Sequence, residues 1–179
     1  MPLADKKPFR YGYLGRLSEE KGMLPVARFF AQTNFPFVIA GDGPQKNELL
    51  SVIKGSPNCN YLGLLQNHEL ASFFSQIDVL VIPSYEESGP LVGLEAMAAG
   101  KIIVSTEVGA MPERLAPLEG YWFAIENLTT LESCINKVNA LSLDGYQAAV
   151  TLLRKRYMDE YSFDAVALQY QKLIRSILH

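Results

Sequence analysis

Apolar residues in this chain gather into short, nearly unbroken runs, and the segments between them repeat their apolar positions every three or four residues. Residues 11–14, 35–40, 60–62, 79–82, 102–105 and 121–124 read as strands. The intervening segments 20–32, 45–53, 67–75, 91–99 and 111–115 read as helices. Gly15-Arg16 closes the first run and Pro83 the fourth, while Gly41-Asp42-Gly43-Pro44 supplies turn residues with proline at a first helical position. Strands apolar on both faces and separated by helices call for a parallel sheet covered on both sides, the doubly wound, Rossmann-like α/β architecture. After Asn127 only helices follow, at 129–140, 144–157 and 162–178. Ser162 caps the last of them, and its Phe163, Val166, Tyr170, Leu173 and Ile177 recur at helical spacing. No linker, low-complexity tract or repeat interrupts the alternation, so a single domain over residues 1–179 is expected.

Composition narrows the class. With 49% hydrophobic and 20% charged residues the chain has material for a core and is neither disordered nor fibrous. A formal charge of −3 and the lack of a long basic tract give no sign of a nucleic-acid partner. The short run Arg154-Lys155-Arg156 falls at a helix end, where cations complement the dipole. Cys59 and Cys134 are far apart without a paired spacing, which suits a reducing cytoplasm. His68 and His179 sit in no ligand motif, so no metal is assigned. Residues 1–9 lack the apolar stretch of a signal peptide, and no run approaches a membrane span. A cytoplasmic protein is expected, with peripheral association at the inner membrane face, through another domain, left open.

The segment from Glu87 to Gly100 carries the strongest chemical signal. From Leu91 to Ala99 every residue but Glu95 is apolar or glycine, so this helix is expected to lie largely inside, where a carboxylate is costly without a partner. Glu87 stands ahead of the helix start, where free amides and the positive dipole end attract anions. Two readings follow. Glu87 is a capping acid and Glu95 a structural hydrogen-bond partner, or the helix start receives a phosphorylated ligand and the carboxylates its hydroxyls.

Ligands of doubly wound sheets bind beyond the carboxyl ends of the strands. That rule selects Gly15, Arg16 and Lys21 after the first strand, Gly41 to Gly43 after the second, and Ser84 to Glu87 with Leu91 and Val92 after the fourth. Arg16, Lys21 and the amides at Leu91 and Val92 could converge on a diphosphate. The alternative pairs Arg16 and Lys21 with Glu19 or Glu20 at the surface. Gly41 to Pro44 lacks a full phosphate-loop pattern and reads as a turn bordering the pocket.

Together, Gly15-Arg16-Leu17, Glu20-Lys21-Gly22, Gly41-Asp42-Gly43-Pro44, Pro83-Ser84, Glu87 through Gly100 and Gly109-Ala110-Met111-Pro112-Glu113 resemble the carboxyl-terminal domain of retaining GT-B glycosyltransferases. This large family includes bacterial mannosyl- and glucosyltransferases and glycogen and sucrose synthases. The resemblance implies that Arg16 and Lys21 hold the donor's diphosphate, that Glu87 addresses the transferred sugar and that Glu95 receives the ribose hydroxyls. It places Leu91 and Val92 at phosphate and sugar oxygens, and Leu65 in the loop beside the base. Where the family usually has Glu-Gly-Phe-Gly, this chain has Glu87-Ser88-Gly89-Pro90. Ala110 stands in place of the second glycine of the usual pair.

The implied reaction moves a hexosyl group from a nucleoside diphosphate, UDP or GDP, to an acceptor hydroxyl with retention, without cofactor or metal. Arg16, Lys21 and the helix start would stabilise the departing diphosphate. The resemblance also implies an amino-terminal partner domain carrying the acceptor site, for which this chain has no room, so little transfer is expected from it alone. Two alternatives stand beside transfer: a non-catalytic nucleotide-sugar-binding module, and a GT-B nucleotide-sugar epimerase.

Overall fold

The computed structural model describes residues 8–116 and 120–178. The polar segment 1–7 and His179, expected to be neither leader nor metal ligand, lie outside the described residues. The strands are β1 (Tyr11–Leu14), β2 (Phe37–Ala40), β3 (Cys59–Gly63), β4 (Val79–Ile82), β5 (Ile102–Ser105) and β6 (Tyr121–Trp122). The helices are α1 (Met23–Ala31), α2 (Lys46–Ile53), α3 (Leu70–Gln76), α4 (Leu91–Ala98), α5 (Met111–Leu115), α6 (Leu128–Asn139), α7 (Leu143–Arg156) and α8 (Phe163–Leu178).

The six strands form one all-parallel sheet in the order β3-β2-β1-β4-β5-β6. Alternation along each strand sends side chains to opposite faces. Val79 and Val81 join Tyr11, Phe37, Ile102 and Val104 in a core with α1, α2 and α6. Leu80 and Ile82 join Ile103 in a second core with α3, α4 and α5. β4 and β5 are therefore buried along their whole length because each face meets helices, whereas the edge strand β3 keeps Asn60 exposed. β1 pairs with both β2 and β4, so the chain crosses over between the third and fourth strands and leaves a crevice above the carboxyl ends of β1 and β4.

The differences from expectation have local causes. The predicted helix 20–32 is two elements: a 3₁₀ turn Glu19–Lys21, then Gly22 at φ +61°, then α1. β2 begins at Phe37 rather than residue 35, because Pro36 has no N–H to give a ladder. Pro44 and Gln45 stay in the turn ahead of α2, and residues 67–69 form a 3₁₀ turn ahead of α3. β6 stops at Trp122, and Ala124 instead bridges antiparallel to Asn127. A π-helical turn at Tyr157–Tyr161 joins α7 to α8.

Helix α4 is also less enclosed than its composition predicts. Only Gly93, Ala96 and Met97 are buried, and Leu91 is 71% exposed. One row of the helix covers the sheet, while its first turn projects past the strand ends into the crevice. No described helix is long and apolar enough to cross a membrane.

Candidate active site

The crevice is a cleft of about 280 Å³ lined by Tyr13, Gly15, Arg16, Lys21, Ser84, Glu87 and the first turn of α4 at Leu91 and Val92. Its cationic side depends on the backbone between β1 and α1. Tyr13 donates its hydroxyl to the Arg16 carbonyl at 2.6 Å, and the Leu17 amide donates to the Asp42 carbonyl at 2.9 Å. Burial first, and then the negative charge of Glu87 and Glu20, raise the Tyr13 phenol above its ordinary range, so it remains a donor. Arg16 is exposed and makes no ion pair among the described residues.

Gly22 sets where Lys21 can reach. A Cβ at Gly22 would stand 2.1 Å from the Pro83 carbonyl oxygen, so close approach as well as positive φ requires glycine. The turn is thereby pressed against the end of β4, with the Tyr85 amide donating to the Glu20 carbonyl at 2.9 Å. Lys21 Nζ then lies 2.5 Å from Glu87 Oε1. The surface pairing of Lys21 with Glu19 or Glu20 is not what forms. Its partner is the carboxylate across the crevice.

Glu87 is not a helix cap. Pro90 holds the N-cap position of α4 and no side chain caps the helix there. The Glu87 side chain, 13% exposed, accepts from Lys21 and also from the Ser84 hydroxyl at 3.0 Å. Both bonds fall on Oε1. Oε2 has no partner among the described residues and is free to accept from a ligand hydroxyl. Ser84, 2% exposed, was visible in the sequence only as a residue following β4, since its hydroxyl matters through a carboxylate three positions on.

The Leu91 and Val92 amides at the start of α4 have no intrahelical acceptors, and both residues line this cleft, where Arg16 and Lys21 add positive charge. Cations, helix dipole and a half-satisfied carboxylate make the cleft suited to a ligand carrying both phosphate and hydroxyl groups. Glu95 and Leu65 do not line it. Glu95 lies farther along α4, half-buried and without a hydrogen-bond partner among the described residues, and burial raises its pKa above the usual carboxylate range. Leu65 packs against the second core. The Gly41 to Pro44 segment stays outside the lining and supports it from behind: Tyr61 donates its hydroxyl to the Gly41 carbonyl at 2.7 Å, and the Gln45 amide to the Leu17 carbonyl at 2.9 Å. No cluster of three or more His, Cys, Asp or Glu side chains among the described residues could hold a metal.

A family model described as glycosyl transferases group 1 matches residues 2–148. The chain belongs to that family. The group 1 domain is 32% identical over 142 residues to the sulfoquinovosyl transferase of Arabidopsis thaliana, covering 74% of this chain and 26% of that protein. Sucrose-phosphate synthase from Thermosynechococcus elongatus superposes with a TM-score of 0.80 at 22% identity, over 95% of this chain and 46% of its own. Anabaena HepE, solved in complex with UDP-glucose, gives a TM-score of 0.79 at 18% identity, over 94% and 49%. These neighbours are GT-B glycosyltransferases, and the group 1 domain has the architecture of a GT-B carboxyl-terminal domain. It spans less than half the length of each of these three proteins.

Proposed function

We propose that this chain is the donor-binding domain of a retaining hexosyltransferase, holding a UDP- or GDP-linked sugar and transferring it once joined to an amino-terminal domain that carries the acceptor site. The observation that carries this reading is the cleft above β1 and β4, where Arg16, Lys21, the α4 amides and the free Oε2 of Glu87 converge. HepE, which binds UDP-glucose, has the same fold and supports a nucleotide-sugar ligand.

In this reading Arg16, Lys21 and the α4 amides take the diphosphate and stabilise the charge that builds on it as the glycosidic bond to the sugar breaks. Glu87 keeps Oε1 on Lys21 and Ser84 and offers Oε2 to a sugar hydroxyl, so one carboxylate links the phosphate-binding cation to the sugar. Glu95 and Leu65 serve the nucleoside end, as ribose acceptor and base neighbour. Charge neutralisation by side chains leaves no step that needs a divalent ion. The working location is the cytoplasm, and any association with the inner membrane face would run through another domain. The chain alone is expected to bind donor but to transfer little, because acceptor ordering supplies much of the rate.

Calorimetric titration with UDP, GDP, ADP and their sugar conjugates, with and without EDTA, tests the reading. Expected is binding of one base series, unaffected by EDTA and weakened at least about tenfold by Arg16→Ala, as loss of a charge-assisted phosphate contact entails. Failure of every nucleotide to bind the unsubstituted chain would overturn it.

A further inference from the structure

The loop that delivers α4 to the cleft is held from its far side. Arg114, on α5 and partly buried, donates from Nη1 to the Pro90 carbonyl at 2.7 Å. The Ala110 amide, just ahead of α5, donates to the Ser88 carbonyl at 3.1 Å. Arg114 is in turn anchored through its own backbone, because Arg156 at the end of α7 donates from Nε to the Arg114 carbonyl at 2.6 Å and from Nη2 to the Glu113 carbonyl at 2.9 Å. Residue 89, without a side chain, leaves the guanidinium room in this position. A Cβ at Gly89 would lie 2.8 Å from Arg114 Nη2.

Pro90 is the N-cap of α4, and its carbonyl also accepts the Gly93 amide at 3.1 Å. Since no side chain caps this helix, Arg114 is the one side chain among the described residues seen to fix the orientation of its first peptide. Arg114 does not line the cleft itself. Its charge, held on the Pro90 carbonyl, nevertheless adds to the positive field at the start of α4.

We propose that Arg114 is a positioning residue for the phosphate-binding turn. Through the Pro90 carbonyl it aims the Leu91 and Val92 amides into the cleft, and Gly89 leaves its guanidinium room to do so. This inference rests on the donor-site reading above.

The test uses the 179-residue chain and whichever of UDP, GDP and ADP it binds most tightly. Arg114→Ala is expected to weaken that nucleotide about tenfold, the scale of a lost hydrogen bond from a charged group. Arg114→Lys recovers part of the loss, since an ammonium can still donate to one carbonyl. Gly89→Ala, whose methyl makes the flexible guanidinium shift, weakens binding by less than Arg114→Ala does and adds no further loss in the Arg114→Ala background. Arg114→Lys and Gly89→Ala leave the test intact if Arg114→Ala does not fold. Unchanged affinity in Arg114→Ala, or full additivity in the double variant, overturns the inference alone. Absence of nucleotide binding by the unsubstituted chain overturns the donor-site reading and this inference with it.

Discussion

Glu95 is a carboxylate without a hydrogen-bond partner among the described residues, and burial raises its pKa above that of a solvated glutamate. Between the ordinary glutamate pKa and the raised value, the native chain binds more protons than the unfolded one. Stability therefore falls as pH rises through that window. Glu95→Gln removes the dependence, so the variant is expected to melt higher than the parent near neutral pH and to converge with it below the ordinary glutamate range. Melting temperatures measured across that range check this, and identical curves would show that Glu95 carries no such burden. Donor binding should respond in the opposite sense. Ribose hydroxyls would satisfy the ionised carboxylate, so the substitution that stabilises the empty chain should weaken the nucleotide complex, as groups retained for function commonly do.

At the scale of elements, helices are not equally secured. α8 has no buried residue, and of the apolar stripe its sequence announces Phe163, Tyr170, Leu173 and Ile177 are exposed while Val166 is half-buried. Such a helix draws little support from the cores and should open independently of the sheet. A chain ending at Ser162 is expected to keep its melting temperature within about 2 °C of the parent, because little buried area is lost. A larger drop would mean that α8 shares in the cooperative unit. The stripe made α8 legible as a helix, but periodicity does not say what, if anything, a face meets. The same limit applies elsewhere. The inner strands were legible because they are apolar on both faces, whereas the break at Gly22 was not, since its cause is the Pro83 carbonyl of a distant loop. Glu87, Lys21 and Arg16 could be selected by their place after strands. That Lys21 would bond Glu87 rather than Glu19 or Glu20 required the fold. Arg114 gave no signal at all, because its partner is a backbone carbonyl, which every residue has.

For the whole molecule, the position of β1 matters most. It lies between β2 and β4, and its aromatic residues Tyr11 and Tyr13 are buried in the core that runs across both. A fragment of residues 1–77 keeps three strands and loses the neighbour on one side of β1, together with Glu87 and the α4 amides. It is expected to show no cooperative melting transition and no nucleotide binding, and a sharp transition by circular dichroism would contradict this. Pairings between strands so distant in sequence also form slowly, because loop closure precedes any gain from the contact.

The ion pair across the crevice extends this argument to synthesis. Lys21 and Glu87 are 66 residues apart, an interval of roughly 3 to 13 seconds at translation rates of about 5–20 residues per second. For that time the nascent chain carries its phosphate-facing cations without the carboxylate that neutralises one of them.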